Sequence, residues 1–320
     1  MFRKYKIGQR LLIGILSVAM LTGCGKSSKT PAAAINKTAD YEMKTVPSPV
    51  SDTLGGEWTV MALARSSAKL QASYYEKYRA NLEKRVKEQE GILSDNRYTE
   101  YSRAVLALVS IGKDPENIGG YDLKKPLEDY DAVVSQGLNG AVFALLALNA
   151  DRSDVEGELQ QKYLDYILEK EKPEGGFSLS EDTDNADVDI TAMTLTCLEP
   201  YQKDKDIKET IDKGIAFLAD AQDKDGGYTA YGSKSSESVS QTVIALSTYG
   251  VDCNEDSRFQ KEGKGLYDRL MEYATDEGGF SHLLNEDADP MATDQALCAL
   301  VSYQRLQEKQ NSFYNMTDQK

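Results

Sequence analysis

The stretch Lys213-Gly214-Ile215-Ala216-Phe217-Leu218-Ala219-Asp220-Ala221-Gln222-Asp223-Lys224-Asp225-Gly226-Gly227-Tyr228 decides the fold. Its first half continues a pattern from Ile207, with Lys and Glu on one helical face and Ile, Leu and Phe on the other, as in a helix with one solvated side. Its second half stops that helix with a glycine pair and an aromatic residue. The same closing phrase stands at Gly119-Gly120-Tyr121, Gly175-Gly176-Phe177 and Gly278-Gly279-Phe280. A phrase recurring every ~50 residues means one helical-hairpin unit used several times.

Working outward, each closing phrase leads to an Ala/Leu-rich segment, and five such segments align on a leucine. They are Tyr98 to Ile111 (Leu108), Leu138 to Leu148 (Leu148), Asp187 to Tyr201 (Leu198), Glu237 to Tyr249 (Leu246) and Asp289 to Tyr303 (Leu300). Trp58 to Arg65 reads as a sixth, earlier member. These segments are apolar nearly all round, so the helices they predict are buried on most sides. Between them lie amphipathic stretches: Tyr74 to Glu90, Glu156 to Glu171, Ile207 to Gln222 and Phe259 to Ala274, with Leu127 to Val134 as a shorter equivalent. Buried helices alternating with half-buried ones predict two concentric layers, an inner ring wrapped by an outer one. Strand signals are essentially absent. The expected fold is an all-α, single α/α toroid of five to six hairpins over residues 51–310, with 311–320 a polar, extended tail.

Lys213 to Tyr228 resembles the QW repeat of squalene and oxidosqualene cyclases, with Tyr228 at the place of the family's Trp. Tyr166-Ile167, Glu171 and Gly175-Gly176-Phe177 repeat the frame with Glu for Gln222. Leu270-Met271, Thr275 and Gly278-Gly279-Phe280 do so one residue shorter. The resemblance covers roughly Trp58 to Gln307 and implies a toroid of the terpene-cyclase and prenyltransferase superfamily. Surface proteins of anaerobic Gram-positive bacteria carrying such repeats look most similar. The cobalamin-binding intrinsic factor uses a more distantly related toroid.

The N-terminus reads as an address. Arg3, Lys4, Lys6 and Arg10 precede an apolar run from Leu11 to Met20, too short to span a bilayer as a mature helix. Leu21-Thr22-Gly23-Cys24 resembles a bacterial lipobox, which implies cleavage after residue 23 and a diacylglyceryl group on Cys24. Residues 24–50, with Pro31, Pro47 and Pro49 and no apolar period, read as a lipidated flexible tether. The expected location is the outer face of the cytoplasmic membrane. Losing the four basic residues takes the formal charge from −15 to −19, which repels nucleic acid and anionic headgroups. The chain has four cysteines and one histidine, His282. Their spacing fits no zinc motif, and no metal or cofactor is expected.

Asp187-Val188-Asp189-Ile190-Thr191-Ala192 resembles the Asp-x-Asp-Asp-Thr-Ala motif of class II terpene cyclases. That resemblance makes Asp189 a protonated general acid and Asp187 its neighbour. Ile190 replaces the family's last Asp and removes part of the arrangement that makes the acid strong. Two Asp at a helix start also serve as caps. Acidic or hydroxyl-rich segments precede three inner helices: Glu181, Asp182, Asp184, Asp187 and Asp189; Ser235, Ser236 and Glu237; Glu286, Asp287 and Asp289. In a toroid they gather at one end of the ring and make a concave negative surface. The expected function is binding of a small-molecule, peptide or glycan ligand without chemistry. The rivals are a cyclase-like or glycan-active enzyme using Asp189 with Asp187, and an envelope scaffold.

Overall fold

The computed structural model describes residues 30–68, 72–230 and 232–319. The segments expected to be a signal sequence and lipobox, with Cys24, lie outside the described residues. Six helices that are apolar on nearly every side form the inner layer: α2 (Glu57–Arg65), α4 (Thr99–Ser110), α6 (Gly137–Leu148), α8 (Val188–Leu198), α10 (Ser236–Thr248) and α12 (Pro290–Gln307). Each packs on the next, and α12 packs on α2, so the ring closes. The outer layer is α1 (Pro31–Thr45), α3 (Ala72–Glu88), α5 (Tyr130–Val134), α7 (Glu158–Leu168), α9 (Lys205–Asp220) and α11 (Leu266–Leu270). Helix α5 follows a 3-10 turn at Lys125–Glu128. A two-rung hairpin pairs Thr229–Ala230 with Ser233–Lys234. Among the described residues the toroid therefore has six hairpins.

Helix α1 corrects the expected tether from residue 30 onward. It is the sixth outer helix and packs on α12. Its buried face is Ala34, Ile35, Thr38, Ala39 and Glu42. Apart from Ile35 this face is made of small and polar groups, which is why it shows no hydrophobic period. Thr30 caps its first turn, accepting from the Ala33 N–H at 3.4 Å, and Pro31 occupies the start, where no N–H is needed. Residues 46–50 then run along α3: Tyr74 Oη donates to the Val46 carbonyl at 3.0 Å and Asn81 Nδ2 to that of Pro49 at 2.9 Å.

The glycine pairs explain the docking. Gly175 has φ +87°, and a β-carbon there would lie 2.7 Å from Lys213 Cβ, while one on Gly176 would press on Phe217 of α9. Gly278, at φ +108°, stands equally close to the Lys37 carbonyl, and Gly279 to the Tyr41 ring of α1. Lys37 and Tyr41 on α1 thus repeat the Lys213 and Phe217 pair on α9, four residues apart on one face. In the turn itself, Lys172, Asp223 and Thr275 each donate their N–H to the carbonyl of the second glycine at 2.8–2.9 Å. Thr275 therefore matches Asp223, not Gln222, and the third repeat is not shorter. The Gln222 amide donates to the carbonyls of Gly226 and Phe259 at 3.0 and 3.1 Å, and Tyr228 Oη to that of Leu218 at 3.0 Å.

Two further expectations are corrected. Phe259 to Ala274 is not one helix: Glu262 and Gly263 have positive φ, and α11 begins only after Gly265. The terminal segment is not an extended tail either. Phe313 and Met316 are buried, and Met316 N–H donates to the Ala150 carbonyl at 2.8 Å. Arg65, whose side chain is fully buried, donates to the carbonyls of Phe313, Ser312 and Asn315 at 2.9–3.0 Å and pairs with Asp318. Arg305 holds the same Asp318 and the Asn311 carbonyl. The segment lies across the C-terminal end of the inner helices and plugs it.

Candidate functional site

The leucine register predicts where each inner helix faces the axis. Counting five residues back from the anchors, with Leu63 as the anchor of α2, gives Trp58, Arg103, Phe143, Met193, Gln241 and Gln295. All six line a central cavity of about 470 Å³. One turn nearer the helix N-termini, Leu54, Thr99, Asn139 and Met291 line its mouth, and Ile244, Cys298 and the plug's Tyr314 line its floor. The cavity is a cup: open at the N-terminal end of the ring, closed by the terminal segment at the other.

The belt is half apolar. The Trp58 and Phe143 rings stand 5.6 Å apart, tilted by 59°, with Met193 beyond them. The other half is polar. Gln241 Nε2 donates to Gln295 Oε1 at 3.1 Å. Arg103 donates through one terminal nitrogen to Asp52 at 3.1 Å, while its Nε is buried without a partner. Asp294 also borders the cup, but its oxygens are taken by the protein, one by the Thr59 hydroxyl and the other by the Gly55 N–H at 2.9 Å. Thr59 reaches Glu42 of α1 at 3.4 Å on its other side. Burial, with Asp294 adding to it, pushes the Glu42 carboxyl up to about 8; burial pushes Asp294 up to about 6.

Of the acidic residues singled out in the sequence, the structure brings some together at the rim. Asp189 and Glu237 occupy the same register position as the mouth residues but do not line the cavity. The two Glu237 oxygens lie 2.9 Å from His282 Nδ1, and Ser236 N–H donates to the His282 carbonyl at 3.1 Å. The Glu237 bond raises the His282 pKa. Asp189 has a buried Oδ1 with no partner; burial raises its pKa, the Ser238 hydroxyl opposes this, and Glu237 and Asp187 add to it. Asp187 begins α8 but caps no N–H; it accepts from the Ser178 hydroxyl at 2.6 Å. Asp289 does cap α12, accepting from the Ala292 N–H at 2.9 Å. Glu181 is on the surface, paired with Lys170 at 2.5 Å. Asp184 and Asp287 are exposed. Among the described residues no group of His, Cys, Asp and Glu is arranged to hold a metal ion.

The belt itself was missed from sequence, as was the role of His282. The signal was present: in an aligned set of Ala/Leu helices, the fifth residue before the anchor is large in every repeat, carrying Trp, Arg, Phe, Met, Gln and Gln in turn. A position that stays large while its chemistry changes, inside a buried ring, fits one that faces a space.

A closed double ring with glycine-paired turns and an axial cup defines a class. Residues 121–318 match the model of the prenyltransferase alpha-alpha toroid domain, and the chain belongs to that family. A drimenyl diphosphate synthase from Streptomyces showdoensis is 24% identical over 137 residues, which cover 42% of this chain and 25% of that enzyme. The chain thus spans about a quarter of that relative's length. Among solved structures, a polysaccharide lyase superposes with a TM-score of 0.60 at 13% identity, over 87% of this chain and 97% of the other. That likeness is one of fold.

Proposed function

We propose that this protein is a lipid-anchored binding module of the bacterial cell surface, and that its ligand sits in the axial cup. The observation that carries this reading is the belt: six inner helices each contribute one side chain to a space of about 470 Å³, within the range of small-molecule sites.

The direction of α1 sets how the cup would be presented. Thr30, Pro31 and Ala32 lie beside Gln304, Gln307 and Glu308, at the plugged end, whereas Glu42 reaches Thr59 at the open end. Cys24 precedes Thr30 by six residues, which extend to at most about 20 Å. A diacylglyceryl group there holds the plugged end to the bilayer and turns the mouth outward. Fluorophores placed singly at Glu308 and Leu54 of membrane-bound protein test this. A bilayer quencher is expected to reach the first and not the second. Equal quenching contradicts the orientation, and protein that never sediments with membranes contradicts the anchor.

Native mass spectrometry of mature protein released gently from its own membranes tests the binding. A reproducible mass beyond the lipid is expected; the lipid mass alone contradicts a ligand-loaded cup. Catalysis at the rim is the second reading, favoured by the Asp189 carboxyl, one oxygen of which is buried without a partner, near the Glu237 and His282 pair. It requires that Asp189→Asn, correctly folded, still binds the ligand but no longer converts it.

A further inference from the structure

We infer that the cup takes a neutral saccharide unit, one face of its ring stacked on Trp58 and Phe143 and its hydroxyl groups met by the polar half of the belt. This rests on the binding reading above and deepens it.

The polar groups decide between ligand classes. The Gln241 and Gln295 amides share one hydrogen bond, which leaves the Gln241 oxygen as an acceptor and the Gln295 NH₂ as a donor. Thr99 and Asn139 at the mouth add a hydroxyl and a third amide. A hydrocarbon ligand would seal four such groups away from water at about 1–3 kcal/mol each. That penalty offsets most of what an apolar ligand gains from Trp58, Phe143 and Met193, so an isoprenoid chain is a poor occupant. An anionic ligand fares no better. Among the described residues Arg103 is the single cation in the wall and is already paired with Asp52, and Asp294 borders the same space. What remains is a ligand without net charge, with donors and acceptors around its edge and an apolar face. A pyranose ring has that form: axial C–H groups on a face, hydroxyl groups in the plane. The cup holds one or two such rings, and its mouth, lined by Leu54 and Met291, is open for a chain to continue outward.

Trp58 is the sole tryptophan of the chain, so its emission reports on the belt alone. The mature chain carrying Cys24→Ser, which needs no detergent, is titrated with chitobiose, cellobiose and maltose, and in parallel with farnesol and inorganic pyrophosphate. A saturable change in Trp58 emission with at least one disaccharide is expected, weakened roughly tenfold or more by Gln241→Ala. Neither farnesol nor pyrophosphate is expected to act. Saturation by farnesol or pyrophosphate, with no response to the sugars, overturns the saccharide assignment and leaves the cup as a binding site. Silence with all five probes overturns the assignment as well, and the host-derived adduct then decides separately whether the cup binds anything.

Discussion

Replacing Arg65 with alanine is expected to destabilise the protein by about 3–5 kcal/mol and to loosen the floor of the cup. The side chain is wholly buried at the C-terminal end of α2 and makes four bonds to the terminal segment, three to carbonyls and one to Asp318. Removing one partner from a buried, hydrogen-bonded charge pair costs that much because the groups left behind stay desolvated. Here they include the carbonyls of Ser312, Phe313 and Asn315. The segment also supplies Phe313 and Met316 to the core and Tyr314 to the cavity wall, so its release exposes apolar surface and opens the plugged end. Urea unfolding measures the first effect and hydrogen exchange over residues 311–319 the second. A variant within 1 kcal/mol of the parent, with the segment still protected, contradicts the plug.

The second large effect is a dependence of stability on pH, centred on α1. Glu42 and Asp294 face the Thr59 hydroxyl from two sides, and both are almost fully buried. The Tyr74 side chain also lies near them, and among the described residues no cation acts on either carboxyl. Folding raises the Glu42 pKa from an ordinary 4.5 to about 8. The folded state therefore holds its proton longer than the unfolded chain does. Stability contributed by this group is fully present below about pH 4.5 and declines as pH rises through 8, because ionisation in the fold then goes against burial and the Asp294 charge. Glu42→Gln keeps the shape and removes the titration. Relative to the parent, it is expected to gain on the order of 3 kcal/mol between pH 4.5 and 8.5. Urea unfolding at both pH values measures this. A parallel pH dependence of the two proteins contradicts a raised Glu42 pKa.

Much of the fold was legible because its signals are local and repeated. A glycine pair whose first member adopts positive φ, an aromatic residue and an Ala/Leu helix recur in order, and repetition turns weak cues into a strong one. Helix α1 was not legible by the same route. Its buried face uses Ala34, Ile35, Thr38, Ala39 and Glu42, of which only Ile35 is a large apolar residue, and its partner α12 lies over 240 residues away in sequence. Its match to α9, Lys37 and Tyr41 for Lys213 and Phe217, means something only once both are seen against glycine pairs. The plug was hidden for a related reason: backbone carbonyls gripped by Arg65 and Arg305 leave no trace in a composition of Asn, Ser and Thr. Motif resemblance drew attention to Asp187 and Asp189, whereas the six belt residues are of five different types. Only their register unites them.

The belt, not the acidic rim, is the proposed ligand site. Native mass spectrometry of two variants beside the parent tests it most directly. Gln241→Trp fills the belt; Asp189→Asn with Glu237→Gln removes the charge of the rim and leaves the cup open. With both folded, as shown by helical circular dichroism, the filled variant is expected to lose the bound mass and the rim variant to keep it. Ligand retained by the filled variant and lost from the rim variant would contradict the account and place binding on the loops.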